Sequence, residues 1–178
     1  MKPPYRVFVL LVLVLFVMAG LAGAENKFVG AAKCKACHSV EKMGGLAYKV
    51  WEKTPHAKAF EALKSKEADE IAKKKGLKTA AAESPECLKC HVSGGGTAAE
   101  VKKEEGVTCE ACHGAASAFM PIHNKPENKE KAVAAGLMLP KKEESKLCEK
   151  CHNAESPTFK GFKMAESWAK IEHKGKPK

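Results

Sequence analysis

The residues best suited to chemistry in this sequence are cysteines and histidines that recur in one spacing. All eight cysteines fall in Cys-x-x-Cys pairs, and a histidine directly follows each pair. The four motifs are Cys34-Lys-Ala-Cys37-His38, Cys87-Leu-Lys-Cys90-His91, Cys109-Glu-Ala-Cys112-His113 and Cys148-Glu-Lys-Cys151-His152. Cys-x-x-Cys-His is the attachment signature of c-type haem, in which two thiols bond the porphyrin and the adjacent imidazole reaches the iron. The pattern predicts four covalently bound haems, with the four motif histidines as proximal iron ligands.

Three other uses of Cys-x-x-Cys pairs fit this sequence less well. Zinc knuckles do not need a histidine after every pair. A thioredoxin-like redox motif would occur once, near a βαβ pattern that this sequence lacks. Disulfides within the pairs would close very small loops and would staple the fold poorly.

The histidines outside the motifs are candidate ligands for the opposite faces of the haems. Seven histidines are present, so three remain after the proximal ones. His56 follows Thr54-Pro55, where Thr54 can cap a helix and Pro55 can occupy its first turn. His123 follows an apolar loop, and His173 ends an amphipathic segment. A lone histidine is often only a surface residue, but each of these is flanked by apolar or aromatic side chains. We therefore predict all three as distal iron ligands.

Three distal histidines cannot complete four haems within one chain. One iron is therefore expected to be five-coordinate, to be ligated by a different side chain, or to be completed by a neighbouring molecule. Methionine is a known axial ligand, although it more often fills gaps in apolar packing. The candidates of this type are Met43, Met120, Met138 and Met164.

Short helices joined by loops are expected to position these motifs. No segment alternates with a period of two residues, so few strands or none are predicted. The predicted helices are 31–43, 47–64 with a break at Pro55, 67–75 ending at Gly76, 126–135, 145–153 and 162–173. Residues 93–97, with three consecutive glycines, are predicted to form a loop or tight turn. Large aliphatic residues are few, so the fold class is predicted as mainly α and loop-rich, with helices wrapped around a four-haem cluster.

The first 24 residues are predicted to be a signal peptide. Lys2 and Arg6 precede an apolar stretch, and Ala22-Gly-Ala24 supplies the small-x-small pattern of a cleavage site. An uncleaved membrane anchor is the alternative, because the apolar run approaches spanning length. Cleavage would leave residues 25–178 as one tetrahaem domain in the periplasm or outside the cell, without stable membrane insertion.

The basic charge of the chain is partly a counterweight to haem propionates. The sequence carries a formal charge of +10, which falls to +8 when Lys2 and Arg6 are removed. Eight propionates and four ferric cores would bring the oxidised protein to about +4. No basic motif interleaved with aromatic residues is present, so nucleic-acid binding is not predicted. Lysines around exposed haem edges are instead expected to steer redox partner proteins with acidic docking surfaces.

The sequence resembles the cytochrome c-554 family, a group of periplasmic tetrahaem cytochromes. The similarity runs through residues 28–38, 51–60, 106–114 and 148–159, and so includes positions outside the haem motifs. The resemblance implies three bis-histidine haems and one five-coordinate, high-spin haem. It pairs His123 with the first haem, His173 with the third and His56 with the fourth, and it leaves the second haem, on His91, open. The stretch between His38 and His56 is longer than the family pattern.

The predicted function is electron transfer between redox partner proteins, without enzymatic activity. In the family that the sequence resembles, the best-known member accepts electrons from hydroxylamine oxidoreductase. One alternative is binding or reduction of a small nitrogen oxide at an open haem, which would need hydrogen-bond donors on the distal side. After residue 24 the chain has no arginine and only Tyr48 among tyrosines. The other alternative is a subunit of an extracellular cytochrome assembly, whereas we expect a monomer or weak oligomer.

Overall fold

The computed structural model describes residues 25–143 and 146–173. The predicted signal peptide, residues 1–24, lies outside the described residues. Within them the chain forms helices, turns and loops and no strand, which confirms the mainly α, loop-rich class. None of the helices in this part of the chain is long and apolar enough to cross a membrane.

The helices of the described residues are short, and the longest of them has nine residues. In the described part of the chain they are α1 (Ala31–His38), α2 (Glu41–Gly44), α3 (Ala47–Trp51), α4 (Ala59–Ala62), α5 (Lys66–Lys74), α6 (Pro85–His91), α7 (Cys109–His113), α8 (Lys129–Ala134), α9 (Lys146–Glu149) and α10 (Met164–Ile171). Single 3₁₀ turns lie at Pro55–Lys58, Ser93–Gly96, Lys103–Glu105 and Pro126–Asn128.

Helix α5 agrees with the predicted helix 67–75 to within one residue at each end. The hydroxyl of Ser65 accepts a hydrogen bond from the backbone N–H of Ala68 at 3.1 Å, which caps the first turn. At the other end Gly76 has a φ of 73°, and the N–H of Leu77 returns to the carbonyl of Ala72 at 3.0 Å. The predicted glycine terminus is confirmed, because only glycine adopts this left-handed conformation readily.

The prediction of one helix over residues 31–43 is wrong. Helix α1 ends at His38, and Val40 is extended, with φ −119° and ψ 114°. The chain then folds back, so that the carbonyl of Gly44 lies 2.9 Å from Nδ1 of His38. The helix therefore ends at His38, and the ring of this histidine contacts the carbonyl of Gly44.

The predicted break at Pro55 is confirmed, since helix α3, a 3₁₀ turn and helix α4 occupy residues 47–62. Thr54 precedes the turn but does not cap it. Its hydroxyl donates instead to the carbonyl of Trp51 at 2.7 Å.

The later helices are shorter than predicted. Residues 126–135 form a 3₁₀ turn followed by α8, and the predicted helix 162–173 is reduced to α10. The predicted helix 145–153 begins at a position outside the described residues, and the structure has α9 within its span. The predicted turn at residues 93–97 is confirmed as a 3₁₀ turn in which Gly94, Gly95 and Gly96 all have positive φ.

Two small apolar clusters make up the core of the described residues. The first contains Phe60, Leu63, Ala72, Ala81, Leu88, Val92 and Val101, and the second contains Ala116, Phe119 and Ala132. Four of these ten side chains are the single methyl group of alanine, so the burial of protein side chains against one another contributes little hydrophobic free energy by itself.

Buried hydroxyls hold the second and third motifs side by side. The hydroxyl of Ser93, two residues after His91, accepts the backbone N–H of Thr108 at 2.7 Å and the Thr108 hydroxyl at 2.9 Å. Both side chains are almost fully buried. Because Thr108 directly precedes Cys109, this contact fixes the start of α7 against the end of α6.

Candidate haem-binding sites

Each Cys-x-x-Cys-His motif lies on a short helical segment. The first three motifs end helices α1, α6 and α7, and their histidines are the last helical residues. In the fourth, α9 holds Cys148, and a turn continues it through hydrogen bonds from the N–H groups of Cys151 and His152 to the Cys148 carbonyl, at 3.1 and 2.9 Å. Each segment thus presents two thiols and one imidazole from adjacent turns.

None of the eight cysteines, all of which lie in the described residues, forms a disulfide. The thiols of Cys34 and Cys109 are hydrogen-bonded, and so are those of Cys90 and Cys151. The bond with Cys34, together with burial, raises the pKa of Cys109, and burial foremost raises the pKa of Cys151 to about 12. The first motif therefore lies against the third, and the second against the fourth.

The described part of the chain contains no group of three or more His, Cys, Asp and Glu side chains placed to hold a metal ion. A structural zinc site needs four such ligands in a tetrahedral arrangement. The side chains of the motifs in these residues are therefore not arranged like the ligands of a zinc knuckle.

Six of the seven histidines form three pairs, each joining a motif histidine to one from elsewhere in the chain. The ring centres are 6.0 Å apart for His38 and His123, 5.9 Å for His56 and His152, and 5.9 Å for His113 and His173. The members of a pair are separated by 60 to 96 positions in the sequence, so tertiary folding alone brings them together.

The separations within the pairs fit an axially ligated metal. With each metal–nitrogen bond about 2 Å long and each ring centre about 1 Å behind its nitrogen, two imidazoles on opposite sides of one metal have centres about 6 Å apart. The interplanar angles of 13°, 66° and 59° differ, which a common axis through the two nitrogens permits.

Backbone carbonyls orient five of the seven imidazoles through Nδ1. The N···O distances are 2.9 Å for His38 to Gly44, 2.7 Å for His91 to Ala59, 3.0 Å for His113 to Met138, 2.9 Å for His123 to Met120 and 2.9 Å for His173 to Ile171. An imidazole whose Nδ1–H donates to a carbonyl keeps its Nε2 lone pair for a metal, and such second contacts are typical of ligating histidines.

Burial keeps several of these imidazoles neutral. It is the main cause that lowers the pKa of His38, His56, His113 and His152 below the usual value for histidine. Only the neutral ring has a lone pair to offer a metal. The protonation state that the fold favours is therefore the one that iron ligation needs.

A buried hydroxyl beside the first motif supports the same interpretation. Oγ of Ser39, directly after His38, is buried and has no hydrogen-bond partner among the described residues. Buried polar atoms normally have partners, and the propionates of a haem are acceptors that a hydroxyl can bind. Thiol spacing, the paired imidazoles and this hydroxyl all fit c-type haem.

Aromatic rings hold two of the imidazoles in place. Phe162 stacks on His152, with centres 4.8 Å apart and planes 18° apart, and Phe119 meets His123 edge-on at 5.9 Å. Trp51 packs against Tyr48 and donates Nε1–H to the carbonyl of Val107 at 2.8 Å. The Val107 N–H in turn donates to the His56 carbonyl at 2.9 Å, so Trp51 positions that histidine through the backbone.

His91 differs from the other motif histidines. All seven histidines lie in the described residues, and no second imidazole packs against this one. Among the candidate methionines, Met43 and Met138 are 59% and 40% exposed, and Met120 packs against the second apolar cluster. The glycine turn after His91 lies against apolar side chains, since a Cβ on Gly94 would meet the Phe28 ring at 3.5 Å.

Sequence reasoning missed one buried charge within the motifs. Glu110, the residue after Cys109, is 3% exposed, whereas Glu149 occupies the same place in the fourth motif and is exposed. The two residues are indistinguishable by motif position, so only the tertiary structure separates them.

Known proteins are similar to this chain in both sequence and structure. The sequence model of the family described as cytochrome c554 and c-prime matches residues 33–114. Cytochrome c-554 of Nitrosomonas europaea is 36% identical over 110 aligned residues, which cover 57% of this chain and 44% of that protein. The chain therefore aligns with less than half the length of this curated relative. A solved structure of reduced cytochrome c554 from Nitrosomonas europaea matches with a TM-score of 0.52 and 30% identity, covering 85% of this chain and 80% of that one.

Proposed function

This chain belongs to the cytochrome c554 family, and from that premise we propose that it is an electron-transfer protein with four covalently bound c-type haems. The observation that carries the proposal is the set of three imidazole pairs, each about 6 Å between ring centres and each containing a motif histidine. Haem iron supplies one-electron redox chemistry when it is bound. The chain would supply the cysteines that attach the haems, the histidines that ligate the iron and a surface on which partner proteins dock.

The residues divide into three roles under this proposal. The eight motif cysteines form the thioether bonds, and His38, His91, His113 and His152 are proximal ligands. His123, His173 and His56 serve the first, third and fourth haems as distal ligands. Two histidines bound to one iron would leave it no open position for a substrate. Such a site suits electron transfer better than substrate binding.

We further propose a periplasmic location and partners with acidic docking surfaces. An apolar groove of about 550 Å³ between α3 and α10 is lined by Leu46, Val50 and Pro55 and rimmed by Lys49, Lys53 and Lys170. Lysines around an apolar patch attract acidic proteins at long range and permit a short-lived contact. This arrangement supports exchange of electrons with proteins rather than with a buried small substrate.

The number of haems tests the proposal directly. The purified mature chain should have the mass of the polypeptide plus four haems of about 616 Da each, as four attachment motifs require. A pyridine haemochrome assay should give the same count. The paired variant Cys87→Ser/Cys90→Ser should retain three, which checks that each motif carries one haem. Two or fewer haems in the unaltered chain would contradict the proposal.

A second candidate function, binding of a small diatomic ligand, is favoured by the isolation of His91 from other imidazoles. We expect the reduced protein to bind carbon monoxide at about one molecule per chain, and the oxidised monomer to show one high-spin signal by electron paramagnetic resonance (EPR). Absence of carbon monoxide binding in a dilute monomeric sample would remove this candidate. Turnover of a nitrogen oxide would be needed to make the chain an enzyme.

A further inference from the structure

A buried carboxylate joins the first and third attachment motifs. Glu110 lies inside the third motif and is 3% exposed. Its two oxygens accept the backbone N–H of Val29 at 2.9 and 3.1 Å, that of Gly30 at 2.9 Å and that of Ala116 at 2.9 Å. Val29 and Gly30 lead directly into α1, which holds Cys34 and Cys37. One side chain thus connects three separate segments around two motifs.

A second carboxylate, that of Glu105, binds the next backbone N–H group along the chain. Glu105 accepts the N–H of Ala31 at 2.9 Å, so three consecutive backbone N–H groups, at positions 29 to 31, bind carboxylate oxygens. Such a run of donors forms an anion-binding concavity. Gly30 has a φ of 83°, and a Cβ there would lie 2.8 Å from the carbonyl oxygen of Glu100. The backbone at this position therefore accepts only glycine without strain.

The surroundings of Glu110 match its charged form. The polar groups within hydrogen-bond reach of its oxygens are N–H donors, and a protonated carboxyl would place its own hydrogen against one of them. Several backbone N–H bonds to one carboxylate are the arrangement that stabilises the anion. The described structure thus holds a fixed negative charge away from water.

The field of this charge reaches the attachment atoms of both motifs. A hydrogen bond from Cys109 lowers the pKa of Cys34, and the Glu110 charge opposes that shift. For Cys109, the hydrogen bond with Cys34 and burial raise the pKa first, and the Glu110 charge adds to them. Cys34 and Cys109 belong to different motifs, so the charge of one carboxylate acts at the attachment atoms of both.

We propose that Glu110 fixes the first and third motifs against each other and lowers the reduction potentials of the two haems attached there. This inference rests on the proposed function. A ferric haem carries one more positive charge than a ferrous haem, so a nearby buried anion stabilises the oxidised form. Glu110 is a positioning residue, because its contacts are to the backbone and its effect reaches the iron through the field.

The test is an EPR-monitored redox titration of the holoprotein and three variants. In Glu110→Gln, the ferrous-to-ferric ratio of two haems at a fixed applied potential should rise about tenfold, which is about 59 mV for a one-electron couple. The two haems are identified as those whose low-spin signals disappear in His123→Ala and His173→Ala. Glu149→Gln makes the same change at the exposed equivalent position and should leave every ratio within twofold of the unaltered protein. Glu110→Asp keeps the charge and should restore the potentials even where the melting temperature falls.

The outcomes separate this inference from the proposed function. Haem count is measured first, and a chain without haem at the first or third motif overturns both. Four haems in Glu110→Gln with unchanged potentials overturn the role of Glu110 alone. If Glu110→Gln yields no holoprotein, Glu105→Gln takes its place, because Glu105 is only half-buried and contacts the same backbone run. It should shift the same two haems in the same direction, and no shift there would overturn the inference.

Discussion

A chain that can attach no haem, with all eight cysteines replaced by serine, should be largely unfolded at 25 °C. The helices in the part of the chain that the structure describes have four to nine residues, well below the roughly 12–15 residues at which isolated helices become marginally stable in water. Tertiary burial must therefore supply the stability. Within residues 25–143 and 146–173, the buried apolar side chains larger than alanine are only Phe60, Leu63, Leu88, Val92, Val101 and Phe119. Domains with so small a core depend on added cross-links or cofactors.

The measurement is far-UV circular dichroism with a thermal scan. The octuple serine variant should lose most of the helical signal of the holoprotein and show no cooperative transition. As a matched control, serine at Lys35, Lys89 and Lys150 changes exposed motif positions but keeps every thiol. The ion pair between Lys89 and Glu155 that this control removes is exposed, and exposed pairs contribute about 0–1 kcal/mol. A haem-free chain with a sharp transition and holoprotein-like helicity would show that the protein part is stable by itself.

Replacing any one distal histidine by alanine should convert one low-spin haem to high-spin. The variants are His56→Ala, His123→Ala and His173→Ala, and each removes one member of an imidazole pair. The iron would keep its motif histidine and lose its sixth ligand. The low-spin EPR signals should fall from three to two, and carbon monoxide binding by the reduced protein should rise from about one to about two per chain.

Exposed neighbours of the distal histidines provide the controls. Lys58→Ala, Lys125→Ala and Glu172→Ala lie within two residues of His56, His123 and His173 and should leave all spectra unchanged. The three histidine variants should also differ from one another in which low-spin signal disappears. If a histidine variant keeps all three low-spin signals, the replaced histidine is not an iron ligand and has an ordinary surface or packing role.

The local sequence was sufficient for features that depend on spacing within one turn or one segment. Cys-x-x-Cys-His fits one helical turn, and all four motifs lie on short helical segments, although the predicted helices included only the first and fourth motifs. Gly76 ends α5 and Pro55 interrupts the segment from Ala47, because their backbone restrictions act locally. Few strands or none were expected because strand periodicity is also a local property, and no segment of the sequence alternates with a period of two residues.

Helix lengths were predicted less well, because tertiary contacts end the helices. The first helix ends at His38, where Nδ1 of the imidazole contacts the Gly44 carbonyl. The hydrophobic periodicity of the sequence does not predict such a contact. Thr54 is of a residue type that often caps helices, but its hydroxyl donates instead to the carbonyl of Trp51 in the preceding turn. Propensity supplies only tenths of a kcal/mol per residue, and contacts of this kind override it.

The pairing of imidazoles and the burial of Glu110 were decided only by the tertiary structure. From residues alone, three further histidines were candidates for unspecified haems, and the assignment of partners came from family resemblance. The fold brings His38 to His123, although 84 other residues separate them in the chain. Likewise Glu110 and Glu149 hold the same motif position, but Glu110 is buried and Glu149 is exposed, and the backbone N–H groups of residues 29, 30 and 116 bind the Glu110 carboxylate. Spacing along the chain determines which atoms can attach one haem, whereas distances between segments determine how those haems are ligated and what charge they experience.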